Sequence, residues 1–353
     1  MSQRWKNRPE HSNWGDFGPD DEIGRLNLIT PERRLAAFRE VTEGLAFCLS
    51  LPLDLPGGNL LVPDRHPPRR GIETRPQGAP FVHFPMALED PHWTDISCDD
   101  RITMHTQYST QWDALAHVGR SFDADGDGVD EHVYYNGFRA GTDVVGPQDD
   151  HCAPAAGAPE RLGAGIGARR LGIENMAKTC VQGRGVLVDL LAHFGRARRL
   201  VGYDDLMRVM EADGVTVESA DMLCLHTGWA QAILDMAGDP DPEVLHDSHC
   251  ALDGRDERLL RWIEDSGIAV LIADNFAVEG FPYPERSETG RYPGLPIHQT
   301  CLFQLGIHLG ELWYLSELAE WLRPRRRSRF LLTAPPLRLP GSFGSPATPV
   351  ASV

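Results

Sequence analysis

The chain has 353 residues, 41% of them hydrophobic and 24% charged, with a formal net charge of −17. That length and apolar content suffice for one large α/β domain, or two smaller ones, around a sizeable core. The negative balance excludes nucleic acid and anionic membrane surfaces as expected partners, since both call for a basic face.

Seven cysteines run from Cys48 to Cys301 without a CxxC pair, the pattern of reduced thiols in a cytoplasmic protein. No apolar run is long enough to cross a bilayer, and the opening MSQRWKNRPEHSNWG lacks the apolar core of a signal peptide. Residues 1–20, broken by Pro9, Gly15, Gly18 and Pro19, should form an arm or loop. Thr30 as N-cap and Pro31 at the first helical position start a helix running through Arg33 to Glu43. Ala46 to Leu53 reads as a strand. The Pro/Gly/Arg-rich passage from Pro56 to Pro80, carrying Asp64, His66 and Arg69-Arg70, is long enough for an active-site cover or a subunit contact. Phe81 to Met86 and Arg101 to Gln107 read as strands.

Met104 to Gly119, MHTQYSTQWDALAHVG, gathers His105, Gln107, Ser109, Thr110, Gln111, Asp113 and His117. Gln107, Ser109, Gln111 and Asp113 alternate, so a strand would turn all four to one side. A polar face bracketed by apolar neighbours is how a strand reads when it lines a polar cavity; an exposed edge strand is the plainer alternative. Next, Asp123, Asp125 and Asp127 with Gly128 imitate a calcium loop. The twelfth position is Tyr134 rather than Glu and no helix precedes, so an acidic turn is the reading.

Gly146 to Gly167 reads as a Gly/Pro-rich connection. Leu171 to Cys180 should be helical. Gly185 to Leu191 is a short apolar run bounded by glycine, as a buried strand would be. Tyr203 to Asp213 is a helix closed by Gly214. Met222 to His226 is a second buried strand, Asp256 to Ser266 a helix closed by Gly267, and Ile268 to Ala273 a third strand. This alternation predicts an α/β architecture, and no GxGxxG, GxxxxGK[ST] or GxSxG motif directs it to nucleotides or to an α/β-hydrolase. In the last third, His298 and Glu311 are thirteen residues apart. A continuous helix could not bring them to one point, whereas a helix or turn leading into a strand could. Their plainer reading is a loop histidine and a solvated helix residue. The basic run Arg323 to Arg329 reads as a solvated turn.

The central run resembles the signature H-x-G-T-H-x-D-x-P-x-H of the cyclase family, metal-dependent hydrolases that include kynurenine formamidase and isatin hydrolase. Laid on this chain, it falls on Gln107, Ser109, Thr110, Gln111, Asp113, Leu115 and His117. Thr110, Asp113 and His117 match; the two leading histidines, metal ligands in the family, are Gln107 and Gln111. D-E-x-G-x-L-N-L-I (Asp21 to Ile29), GRGVLVDL, LHTGW, DNFAVE, HQTCLFQLGIHLGELWYLSEL and the Gly/Pro-rich tail from Pro335 to Pro346 resemble further family segments. Together they span residues 14–350.

The resemblance implies a single cyclase-like α/β domain (swivelling β/β/α) over residues 1–353, with a mixed β core and surrounding helices. It implies hydrolysis of a small amide, lactam or lactone by metal-activated water, with aryl formamides such as N-formylkynurenine among the candidates. It makes Asp113, His298 and Glu311 metal ligands, with His308 second choice to His298, and His117 the general acid or base. Gln107 and Gln111 would add amide oxygens, an oxygen-rich set that suits one Mn²⁺-like ion better than a dinuclear zinc site. One ion, two ions, or none with the glutamines bonding substrate all stay open. His105, Ser109, Thr110 and Trp112 are candidates to line the substrate pocket. So is Trp229, although tryptophan is mostly core. A homodimer or larger oligomer follows from the family alone. The alternatives are a weakly catalytic or metal-free ligand-binding member, and a cyclase of natural-product assembly.

Overall fold

The short apolar runs are the strands that build the centre of the molecule. The computed structural model describes residues 3–75, 78–147, 149, 165–283 and 290–353. The expected connection from Gly146 to Gly167 lies largely outside them. Nine strands form one mixed sheet: β1 Ala46–Cys48, β2 Gln111–Asp113, β3 Gln182–Asp189, β4 Met222–His226, β5 Val270–Ala273, β6 His308–Glu311, β7 Arg329–Thr333, β8 Gly344–Pro346 and β9 Val350–Ser352. Their order is β1-β9-β7-β3-β4-β5-β6-β2-β8. The inner four, β3 to β6, run parallel, and the flanking strands pair antiparallel.

The parallel strands read as continuous apolar runs because both faces are covered. Val186, Val188, Leu223, Leu225, Leu271 and Ala273 point to one face and pack with Leu206, Val209, Leu259 and Ile263. The intervening Leu187, Met222, Cys224, Val270 and Ile272 point to the other and pack with Trp112, Trp313 and Phe330. The period of two thus sorts one sequence into two cores.

Helix ends follow the expected chemistry. Helix α1 spans Pro31–Phe38, and the Thr30 side chain accepts from the Arg33 amide. It stops five residues short of the expected Glu43. Helix α2 is Ile173–Lys178. Helix α3, Tyr203–Asp213, ends on Gly214 in the left-handed region at φ 66°. Helix α4, Glu257–Ser266, is capped by Asp256 and closed by Gly267. The buried Arg25 donates to the carbonyls of Ile263 and Glu264 at the C-terminal end of α4, where a cation meets the negative end of the helix.

Residues 3–20 form no helix or strand of the sheets, but they are not a loose arm. Trp14 is 1% exposed, donates to the Phe303 carbonyl at 2.7 Å and meets the Phe303 ring edge-on at 5.1 Å. Asn13 donates to Leu305. The arm therefore clamps the π-helical turn Gln299–Leu305. At Gly24 a Cβ would lie 2.0 Å from the Gly306 carbonyl oxygen, so glycine is required for this close approach. Trp14→Ala is expected to cost about 3–5 kcal/mol of stability, read as a lower urea midpoint.

The expected central strand fails. The strand predicted to carry Gln107, Ser109, Gln111 and Asp113 on one face exists only as β2, Gln111–Asp113. Residues 106–110 are turn and bend. Thr110 Oγ1 donates to the Leu312 carbonyl and accepts from the Leu51 amide, and Ser109 donates to Pro52. These bonds draw the backbone off the ladder.

Candidate metal centre

Strands β2 and β6 pair antiparallel with Gln111 directly opposite Glu311. Their side chains share a face, and the Gln111 amide nitrogen donates to Glu311 Oε2 at 3.2 Å. Asp113, two residues on, is the diagonal neighbour on that same face. The third group comes from a short helix, Pro296–His298, that enters the π turn before β6. This is the turn-into-strand arrangement that a thirteen-residue separation requires. His298 Nε2 lies 3.1 Å from Glu311 Oε1 and 3.8 Å from Asp113 Oδ2. One donor atom from each of Asp113, His298 and Glu311 falls within 4.8 Å of the others. All three residues are at most 3% exposed.

Glu279 fixes the imidazole. Its Oε1 accepts from His298 Nδ1 at 2.8 Å and from the His298 amide at 2.9 Å, and Oε2 accepts from the Ile297 amide. The Nδ1 proton is thereby committed, and Nε2 faces the two carboxylates. Carboxylate–histidine pairs of this kind orient metal-binding imidazoles.

Burial raises the Asp113 carboxyl above the usual range, against the lowering charges of His117 and His298. Burial also acts to raise Glu311, but its hydrogen bond and ion pair with His298 hold it below the usual range. Burial would lower His298, yet the bonds to Glu279 and Glu311 push it up to about 10. Glu311 and His298 are thus an ion pair, and burial works against a charge on Asp113. Asp113 Oδ2 and Gln111 Oε1 have no hydrogen-bond partner although buried. The orphaned Asp113 Oδ2, 3.8 Å from the imidazole nitrogen of His298 and grouped with Glu311, fits a divalent cation of the harder kind.

Gln107 turns its donor end inward. Its Nε2 bonds Asp113 Oδ1 and His117 Nδ1, each at 2.9 Å. It orients both groups and presents no oxygen to the cluster. With Nδ1 accepting, the proton of neutral His117 sits on Nε2, 4.0 Å from Asp113 Oδ1. The His117 side chain is 24% exposed, whereas that of Asp113 is fully buried.

Other candidates lie elsewhere. Trp112 is fully buried on the opposite face of β2, bonded to Ala334 and stacked edge-on against Trp313. Ser109 and Thr110 serve backbone carbonyls. His105 is exposed, with its ring 5.9 Å from that of His66. His308 opens β6 on the face away from Glu311, fully buried with Nδ1 unpartnered. Trp229 lies in a satellite core with Leu51 and Ile233. The Asp123–Asp127 carboxylates fold onto their own loop, accepting from the amides of Gly126, Asp127, Gly128 and Val129.

Sequence reasoning missed two residues. Glu279 stood inside the DNFAVE segment with no sign that it would reach His298. Arg65, in the long loop, donates to the Gln107 carbonyl at 2.7 Å. A second buried cluster at the ends of β3 and β4 joins Asp189, His226 and Ser316. Arg323 pairs with Asp189, and Asp274 takes the Thr227 and Gly228 amides. It braces the strand ends.

The family described as Cyclase matches residues 49–280. A crystal structure of a novel cyclase is 30% identical over 98% of this chain and 100% of its own, with a TM-score of 0.71. Isatin hydrolase A from Labrenzia aggregata, bound to benzyl benzoate, is 13% identical over 87% of this chain and 93% of its own, with a TM-score of 0.52. An isatin hydrolase bound to the product analogue thioisatinate is 13% identical over 92% and 99%, with a TM-score of 0.53. No curated protein matches the sequence. No helix among the described residues is long and apolar enough to cross a membrane.

Proposed function

The chain belongs to the cyclase family, and on that footing we propose that it hydrolyses a small amide, lactam or lactone at a site holding one divalent ion, Mn²⁺ or Zn²⁺. The observation that carries the proposal is the meeting of Asp113, His298 and Glu311 around the orphaned Asp113 Oδ2. The name of the isatin hydrolases that share the fold favours a cyclic aryl amide, with aryl formamides next.

Asp113, His298 and Glu311 would hold the ion, and Gln111 Oε1 offers a fourth, weaker ligand. When bound, such an ion polarises a carbonyl and lowers the pKa of water beside it. An oxygen-rich set favours Mn²⁺ over Zn²⁺. His117 works beside Asp113: with Gln107 on Nδ1, its Nε2 proton is available to the departing nitrogen or oxygen. Glu279 keeps His298 in the tautomer that leaves Nε2 free, and Gln107 fixes Asp113 and His117 relative to each other.

Elemental analysis of purified protein, paired with hydrolysis of isatin, N-formylkynurenine and an aryl lactone, tests this. About one equivalent of metal per chain with turnover of one of them is expected. A protein that takes up no metal from Mn²⁺ or Zn²⁺ overturns it. His117→Ala is expected to lower kcat by about 10²–10⁴-fold with metal content unchanged, measured on whichever substrate turns over.

The inward-turned Gln107 motivates a second reading, a ligand-binding member in which glutamines have replaced the strongest metal ligands. It predicts aryl ligand binding without turnover in metal-loaded protein. We also propose that the chain forms at least a homodimer. Ile72, Leu88, Trp93, Ile96 and Ile102, on or beside the paired strands 69–72/100–103 and 84–85/96–97, are exposed, and apolar side chains gathered in one exposed segment are what a second copy would cover. Light scattering on the full chain measures it.

A further inference from the structure

Glu279 ties His298 to the rest of the protein, so whatever fixes Glu279 also fixes the imidazole. Its backbone runs beside the strand Cys250–Leu252. Leu252 donates to the Val278 carbonyl, Gly280 donates to the Leu252 carbonyl, and Leu252 and Glu279 form a parallel bridge. Just before Glu279, Ala277 and Val278 take φ values of 66° and 60°, a left-handed backbone that a β-branched residue resists. Such strain persists only where the surroundings hold it.

The Glu279 carboxylate, in a residue only 1% exposed, meets donors on both oxygens. Oε1 takes both His298 donors. Oε2 takes the Ile297 amide at 3.0 Å and the Tyr283 hydroxyl at 3.1 Å. Tyr283 is itself held by two consecutive residues. The Gly254 amide donates to its oxygen at 2.6 Å, and the Arg255 guanidinium lies 4.4 Å from its ring centroid. An amide N–H can only donate, so the hydroxyl proton is left to point at Glu279. A Cβ on Gly254 would lie 2.6 Å from both Glu279 Oε2 and Tyr283 Oη. Any side chain at 254 would part the pair.

We propose that Tyr283 is a positioning residue for the metal ligand His298, acting through Glu279. The inference rests on the reading of Asp113, His298 and Glu311 as a metal site. A buried carboxylate keeps one orientation when its lone pairs are bonded, and the imidazole on its other oxygen keeps one orientation with it. Without the Tyr283 hydroxyl, Oε2 retains a single amide, and the Gly254 N–H loses its acceptor. The carboxylate is then free to turn, and Nε2 of His298 turns away from Asp113 and Glu311.

The test is the Mn²⁺ dissociation constant of the full chain, titrated calorimetrically after EDTA treatment and removal of the chelator. The proteins are wild type, Tyr283→Phe, Glu279→Gln and the double variant. Tyr283→Phe is expected to weaken Mn²⁺ binding by about tenfold, the lower end of what the outer partners of a metal-bound imidazole contribute. Glu279→Gln should weaken it at least as much. Adding Tyr283→Phe to Glu279→Gln should weaken it little further, because both changes cut one path. A merely structural role for Tyr283 would lower the urea midpoint of the metal-free protein and leave the Mn²⁺ constant unmoved. Gly254→Ala, which parts the same two oxygens, should repeat the loss with the hydroxyl still present. Equal Mn²⁺ binding by Tyr283→Phe and wild type overturns the proposal and leaves the metal reading standing. So does an undiminished loss on top of Glu279→Gln. Wild type that takes up neither Mn²⁺ nor Zn²⁺ overturns the metal reading, and this inference with it.

Discussion

Asp113→Asn should give a folded protein that retains no metal and hydrolyses its substrate at least about 10³-fold more slowly, since the stabilisation an ion lends is several kcal/mol. Its stability in EDTA should nonetheless equal or exceed that of wild type. The two effects have one cause. Asp113 is fully buried next to Glu311, with one oxygen bonded to Gln107 and the other to nothing. Without an ion, burial works against a charge on that carboxyl and nothing bonds its second oxygen. Asparagine has the same shape, carries no charge and can keep an oxygen turned to Gln107, so the metal-free fold loses nothing by the change. Strain of this kind, tolerated for a ligand, is expected at functional sites. Wild type should gain thermal stability with added Mn²⁺ or Zn²⁺, and the variant should not. Loading wild type must also displace the Nε2 proton of His298, which its carboxylate partners push up to about 10, so metal affinity should rise with pH. Calorimetry in buffers of different ionisation enthalpy counts that proton. A variant that binds metal as wild type does would remove Asp113 from the site.

How much of this was legible varies residue by residue. The parallel centre was readable because strands covered on both faces must be apolar throughout, as in β4 and β5. The sheet order was not, because β2, β6 and β8 meet through contacts that no local pattern encodes. The helix ends were readable to a residue at Gly214 and Gly267, where a left-handed backbone calls for glycine. The long strand through Gln107 was misread because alternation alone could not show that the Ser109 and Thr110 hydroxyls would capture distant carbonyls. At the site, Asp113 and His117 stood out by spacing and resemblance, while the thirteen-residue gap allowed a helix or turn into a strand between His298 and Glu311 without choosing it over a loop histidine and a solvated helix residue. Glu279 and Arg65 stayed hidden because each reaches the cluster from a remote segment. The direction of the Gln107 amide depends on partners known only once the chain is folded: a carboxylate and an imidazole nitrogen both ask for its donor end.

Acid should unfold this protein earlier than its carboxylates alone would require. Burial, with the nearby charge of Arg196, depresses His249 to about 4, and burial alone depresses His308 to about 3. Each ring has a buried nitrogen with no partner, Nε2 in His249 and Nδ1 in His308, so a second proton has nowhere to be stabilised. In the unfolded chain both rings titrate near 6.5. Below that pH the unfolded state takes up protons that the folded state refuses until about 4 and 3. The stability these rings permit is therefore full above about 6.5 and is lost as pH falls through that window. The two together amount to several kcal/mol when fully expressed, a large part of a typical folding free energy. His226 works with the opposite sign. Burial would lower it, but Asp189 and Asp274 raise it, so its contribution is present below about 6.5 and fades as pH rises through the raised value. Stability should accordingly peak near neutrality. In urea titrations from pH 8 to 4.5 with EDTA present, wild type should hold its midpoint down to about 6.5 and then fall steeply. His308→Leu should match wild type near pH 7 and fall less below it, because leucine keeps the apolar contacts and has nothing to protonate. Parallel curves for the two proteins would mean that His308 does not set the acid limit, and the slope would then belong to His249 and the carboxylates.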